Sequence, residues 1–423
     1  MHCYYSNLSG GKALIFVNRS SLSVFKNTVS LLLAASLMIV LVFPAMAQSP
    51  ATALGDIPSP SADPTAAKAD LVYDFPADHL LHTPQSIVKD PVHFMEWLYW
   101  TGALRDVQTG ELLGFQYTLF QQNLEPGSIS YVNHVAISDV ANSWHPRYQY
   151  AASWEGAEIS NGTDGIKGDF WRYQDAQTTL TYWMEQDAWS IITKGDLSDD
   201  KGQGHDISLN LTLFNDDQGY YLHHPGGVNV VGLCEKVEPE NMTGMTYYYS
   251  HPSMNTSGTV SIDGYEIEVR GESWFDHQWG GFGRCYPAWD WFSLRLDDGS
   301  YLVLYAIKDP MGQELVDLRG LTYIDAEGNA SWRAGGDSFD MAVTRWWTSG
   351  SGFSYPLDWA FSTPVGDLAI EPYFDEQTMN VGVEGSEYWE GMMRVRKANL
   401  SGEQIGIGYM ELAGYAPLSI LAI

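Results

Sequence analysis

From Leu71 to the C-terminus the chain runs in short segments in which apolar and polar residues alternate, separated by Gly-containing turns, and helical periodicity is scarce. A period of two sends successive side chains to opposite faces of a strand, so this pattern predicts an all-β, antiparallel fold. All 16 Trp fall in this part, with abundant Tyr and Val, the residue types that suit a pleated, half-buried surface.

Two stretches use one device twice. Residues 97–117 read WLYWTGALRDVQTGELLGFQY and residues 289–305 read WDWFSLRLDDGSYLVLY. Each is an aromatic-rich strand ending in Leu and Asp, a Gly-containing turn and a second apolar strand. Asp298-Gly299 is a hairpin signal, because Gly accepts the positive φ that a tight turn demands. Each copy is expected to open one barrel, giving domains over residues 71–283 and 284–423 with a flexible joint at Gly280, Gly281, Phe282 and Gly283. Units of this size hold enough strands to close a sheet and remove its edges. A closed barrel leaves room for one small ligand, with inward aromatics either lining that space or filling it.

Residues 1–47 carry Lys12, Arg19 and Lys26 and no acid, then an apolar run from Val29 to Phe43 and a small-residue site at Ala45 and Ala47. This reads as a signal peptide, because the apolar run is shorter than a spanning helix needs. Residues 48–70, rich in Pro, Ala, Ser and Asp, read as a disordered spacer. The expected location is therefore secreted or cell-envelope, with no membrane domain after cleavage. Of 22 Lys plus Arg, loss of these three leaves 19 against 52 acids, a net charge of −33. Such a surface repels phosphate backbones and anionic headgroups, which excludes nucleic acid as a partner. Cys3 falls in the leader, and Cys234 with Cys285 permit one disulfide in an oxidising compartment.

The densest cluster of chemistry-bearing residues is GESWFDHQWGG, residues 271–281. In a regular strand Trp274, Asp276 and Gln278 share one face, and Phe275, His277 and Trp279 the other; only a bulge would bring Asp276 and His277 to one cavity. A carboxyl walled by Trp274 feels desolvation, which raises its pKa and lets it act as a general acid near neutral pH. The alternative is that Asp276 and His277 tie the strand to its neighbours by hydrogen bonds. His223 and His224 are adjacent and point oppositely on a strand, so no metal is expected, and no signature calls for another cofactor.

Six motifs in order resemble the carotenoid 1,2-hydratase and AttH-like family. Glu96-Trp97-Leu98-Tyr99-x-Thr101-Gly102 is similar to its Glu-Trp-Trp-Tyr-x-x-Gly opening, with Leu98 at the second Trp position. His134 to Asp139, His223 to Gly227 and Tyr247 to Pro252 follow. Then come Trp274 to Gly280, similar to Trp-x-Asp-His-x-Trp-Gly, and Trp289 to Phe292. The resemblance implies two lipocalin-like, calycin-type β-barrels packed side by side with a hydrophobic ligand between or within them. It also implies enzymes that add water to an isoprenoid double bond, or relatives that steer a cycloaddition.

On that reading Asp276 protonates an alkene, an aromatic wall from Trp97, Tyr248, Trp274 or Trp291 stabilises the cation, and His134 or His277 takes the proton of the attacking water. Tyr99 and Trp279, in the same motifs, complete the candidate ligand contacts, and Glu96 is the alternative carboxylate. The competing expectation is a non-catalytic extracellular carrier or sensor, which needs the apolar cavity and no desolvated acid.

Overall fold

The alternation becomes two antiparallel sheets in a computed structural model, which describes residues 73–88, 94–125, 128–153, 156–198, 204–215, 219–224, 227–231, 242, 244–282, 288–309, 312–380 and 387–416. The expected leader and spacer, Cys234, Cys285, Gly283 and Arg284 lie outside the described residues.

The first sheet has 13 strands: β1 (Phe94–Asp106), β2 (Leu112–Glu125), β3 (Ser128–Asp139), β4 (Arg147–Ser153), β5 (Glu158–Asp164), β6 (Gly168–Gln174), β7 (Thr178–Trp183), β8 (Ala188–Ser198), β9 (Gly204–Asn215), β10 (Tyr221–Leu222), β11 (Val228–Val230), β12 (Met245–Ile262) and β13 (Tyr265–Gly281). Pairing runs from β12 through β13, β1, β2, β3, β4, β8 and β9 and returns to β12, a closed ring. A single register pair, Arg147 with Ser198, joins β4 to β8. Closure satisfies the strand edges that an open sheet would expose.

The second sheet has 10 strands: β14 (Ala288–Leu296), β15 (Tyr301–Lys308), β16 (Gly320–Ile324), β17 (Ala330–Ala334), β18 (Asp340–Thr348), β19 (Ser354–Thr363), β20 (Gly366–Pro372), β21 (Thr378–Asn380), β22 (Glu387–Lys397) and β23 (Gln404–Ala413). Its order is β17-β16-β15-β14-β23-β22-β20-β19-β18. The chain is thus all-β, with two curled antiparallel sheets of the lipocalin-like kind.

The two similar stretches are both hairpins, β1 with β2 and β14 with β15. Gly299 makes the second turn with φ of 86°, a conformation that costs a side-chain-bearing residue energy. The expected flexible joint differs. Gly280 and Gly281 finish β13 and Phe282 is buried. A Cβ on Gly280 would meet the Met245 carbonyl oxygen at 2.3 Å, so glycine here permits close strand approach and not bending.

Side-chain parity sorts the core. On β1, Leu98, Trp100 and Leu104 enter the interior of the ring, which Tyr117, Trp189, Tyr249 and Phe275 fill. On β14 and β23, Phe292, Leu294, Met410 and Leu412 enter the concave core of the second sheet. The opposite faces of both sheets meet in a third cluster that includes Tyr99, Trp274, Trp291, Tyr305 and Tyr409. Strands at this seam are covered on both faces, so β1 is buried almost throughout, in keeping with its nearly continuous apolar sequence.

Candidate functional site

β13 keeps regular register with β1 from Val269 to Gly281, and the irregularity against β12 falls beyond the site, between His251 and Met254. No bulge intervenes at Asp276 or His277. Alternation therefore holds: Asp276 and Gln278 face the second sheet, while Phe275, His277 and Trp279 face the ring interior.

Between the sheets lies a cavity of about 110 Å³. The first sheet contributes Trp97, Tyr99, His134, Tyr248 and Asp276 to its wall, and the second contributes Trp289, Trp291, Tyr388, Glu390 and Glu411. The cavity thus lies at the seam, whereas the packed side chains named above occupy the ring's own interior.

Asp276 is buried and accepts three hydrogen bonds. Trp274 Nε1 donates to Oδ1 at 2.6 Å, Ser250 Oγ donates to the same oxygen, and the Tyr248 hydroxyl lies 2.8 Å from Oδ2. Two donors on Oδ1 leave Oδ2 as the seat of a proton. Burial pushes the carboxyl up to about 7, against these three bonds, which pull it down. No ion pair reaches it among the described residues. Behind it His223 lies 2.6 Å from Ser250 Oγ and 2.8 Å from Thr322 Oγ1. Burial lowers His223 to about 3, so it is neutral and orients Ser250. Trp291 Nε1 donates to the Tyr248 oxygen at 2.9 Å, bringing the second sheet to the same group.

Across the cavity stand two acids outside the six motifs. Glu390 and Glu411 are direct cross-strand partners on β22 and β23. Burial and the neighbouring Glu411 push Glu390 well up, although the Tyr99 and Tyr388 hydroxyls bond to it. Burial raises Glu411 to about 7 against a hydrogen bond from Trp289, and its remaining exposure is to the cavity. Among the described lining residues there is no Lys or Arg to offset them. The signal that could have found them is parity: each acid interrupts an apolar strand, two residues from an aromatic on the same face, Tyr388 and Tyr409.

His134 lines the cavity with Nδ1 2.8 Å from the Tyr388 hydroxyl. With that hydroxyl committed to Glu390, His134 donates from Nδ1, and its buried Nε2 has no partner in the protein. Burial lowers it to about 3, so the imidazole is neutral.

Glu96, His277 and Trp279 were expected at the ligand and lie elsewhere, because their parity sends them into the ring interior. His277 Nε2 is 2.8 Å and His82 Nδ1 2.6 Å from the same oxygen of Glu96. Gln121 and the His82 backbone amide also donate to that carboxylate. These three side chains bring donor atoms within 4.8 Å of one another, as a metal would require. However, Glu96 and Asp78 raise His82 to about 9 against burial, so a metal would have to displace the imidazole proton. The cluster instead clips residues 73–88 to β1 and β13, with His82 stacked on Trp279 at 4.4 Å. Of the remaining candidates, Trp97, Tyr99, Tyr248 and Trp291 line the cavity, and Trp274 supports Asp276 from the seam.

The AttH-like family model matches residues 67–415. A crystal structure of a Nitrosomonas europaea protein described as an AttH aligns with 25% identity and a TM-score of 0.65, covering 82% of this chain and 98% of that one. Kievitone hydratase from Nectria haematococca shares the fold at 17% identity and a TM-score of 0.55, covering 77% and 90%. No curated protein sequence matches the chain. With nearly the whole described structure inside the family model, the chain belongs to the AttH-like family.

Proposed function

We propose that this is an exported, cofactor-independent hydratase or isomerase-type enzyme that protonates an alkene of a hydrophobic small molecule, isoprenoid, lipid or polyketide-like, with Asp276 as the acid. The observation that carries the reading is a buried carboxyl, poised near neutrality by burial, on the wall of an aromatic cavity with no Lys or Arg among its described lining residues. A carrier has no use for such a group, since keeping an unpaired acid in an apolar site costs stability.

The alkene accepts the proton of Asp276 Oδ2, and the resulting tertiary cation is held against the faces of Trp97, Tyr248 and Trp291, worth on the order of 2 kcal/mol when desolvated. His134 presents Nε2 as an acceptor that orients the water. Tyr248, Ser250 and Trp274 take up the charge left on Asp276 through the three hydrogen bonds already in place.

The test offers the protein phenols bearing a dimethylallyl arm and acyclic isoprenols, and follows water addition by mass spectrometry. The expected result is addition by the wild type and none by Asp276→Asn, with binding preserved. Tight binding of these compounds without turnover at any pH would favour the carrier. Export rests on the leader, and N-terminal sequencing of the mature protein is expected to begin near Gln48.

A further inference from the structure

We infer that Glu390 and Glu411 act as one unit, the counter-charge of the cationic intermediate, and that the ionised member of the pair receives the proton released by the adding water. The inference rests on the hydratase reading and assigns the half of the reaction that Asp276 leaves open.

The geometry sets up the pair. Cross-strand partners on one face have Cβ atoms about 5 Å apart, and like charges there are destabilising. Here both acids face an aromatic-walled cavity with no Lys or Arg among its described lining residues. A pair so placed holds one proton between its two carboxyls, as two ionised groups at this separation would repel strongly. Glu390 suits the protonated role: Tyr99 donates to Oε1, while its buried Oε2 has no partner in the protein. Glu411, partly open to the cavity and bonded by Trp289, suits the ionised role.

The other candidate groups fail as the acceptor. His277 faces the ring interior. His134 binds a proton only below about pH 3 and is too weak a base. Asp276 has just lost its own proton and is the donor to be reset. The sequence then balances. The alkene π pair takes the Asp276 proton and forms a C–H bond, leaving a tertiary cation. A water lone pair forms the C–O bond, and one O–H bond breaks as its proton moves to the ionised carboxylate. That proton returns to Asp276, so the net change is addition of one water.

The decisive measurement is binding, independent of turnover. A phenol carrying a dimethylaminoethyl arm is, when protonated, a stable mimic of the cation formed from a dimethylallyl arm. The same phenol with an isopentyl arm is its neutral isostere. By tryptophan fluorescence at pH 8 the ammonium compound is expected to bind at least about tenfold more tightly, a difference within reach of a desolvated counter-charge and aromatic wall. Because Asp276 lines the same cavity and is itself largely ionised at pH 8, the comparison is made in the Asp276→Asn background. That variant is expected to keep the preference, and adding Glu390→Gln and Glu411→Gln to it is expected to remove the preference.

A measurement on the wild type needs no folded variant. Titratable groups facing the pair are Asp276 from β13, Tyr99 from β1, Tyr248 from β12, His134 from β3, Tyr305 from β15, Tyr388 from β22 and Tyr409 from β23. Only Asp276 and Glu411 are placed near 7. The ammonium preference should therefore fall as pH drops through about 7, and Asp276→Asn should retain this fall. Equal binding of the two arms at pH 8, or a preference that survives in the folded triple variant Asp276→Asn, Glu390→Gln, Glu411→Gln, overturns the inference. Either outcome leaves the Asp276 assignment standing, which is tested by turnover.

Discussion

Asp276 holds its proton more tightly in the folded chain, near 7, than in the unfolded one, near 3.8. Its contribution to stability is therefore full below pH 4 and is lost as pH rises through 7. Asp276→Asn removes the ionisation without changing the shape, so its melting temperature should meet or exceed the wild type's above pH 7 and lose that advantage near pH 5. Thermal unfolding at the two pH values checks this, and a variant that is the less stable at both contradicts a desolvated acid. The same value predicts that kcat/KM declines above about pH 7, where the acid form disappears. The residue was legible in the sequence because its environment is local: Trp274, two positions away, and Tyr248 with Ser250 on the adjoining strand supply its bonds. Glu390 and Glu411 were not, since their meaning depends on β22 pairing with β23 and on both facing a distant strand. Their parity with Tyr388 and Tyr409 marks each as an acid on an apolar strand, but only the pairing and the facing strand turn that mark into a cavity wall.

Strand parity explains most of what each element does, and it separates stability from function along a single strand. On β1, Trp100 fills the ring interior while Trp97 lines the cavity. Trp100→Ala should cost about 3–5 kcal/mol, whereas Trp97→Ala should weaken ligand binding with a much smaller change in a denaturation midpoint. On β13 the same logic parts His277 from Asp276. His277→Ala should reduce stability and leave turnover measurable, because its partners are Glu96 and the Asp78 carbonyl. Glu96→Gln breaks a buried, doubly bonded charge and should cost about 3–5 kcal/mol. It should also free residues 73–88 for early cleavage in limited proteolysis, as should raising the pH through 9, where His82 loses its proton. An arm that stays protected in Glu96→Gln would show the clip to be dispensable. Sequence alternation located both faces of β13 correctly. Glu96 and Trp279, expected at the ligand from motif membership, lie away from the seam cavity because their parity turns them into the ring interior.

At the scale of the molecule, a closed ring and a curled sheet lie with their outer faces together and build the cavity at the seam. Barrel size and turn spacing made the two sheets legible, but a seam is invisible to periodicity, since it buries the face that an isolated barrel would show to water. Tyr99 bonded to Glu390, Gln116 and His134 bonded to Tyr388, and Trp291 bonded to Tyr248 all cross it. Catalysis on this account requires both sheets, with the acid on one and its counter-charge on the other. The most direct test is turnover of a dimethylallyl phenol in deuterated water. The wild type should yield a tertiary alcohol with one deuterium on the carbon that received the proton, and Asp276→Asn, folded and binding normally, should yield none. Full deuterated product from Asp276→Asn would contradict the assignment of Asp276 as the acid.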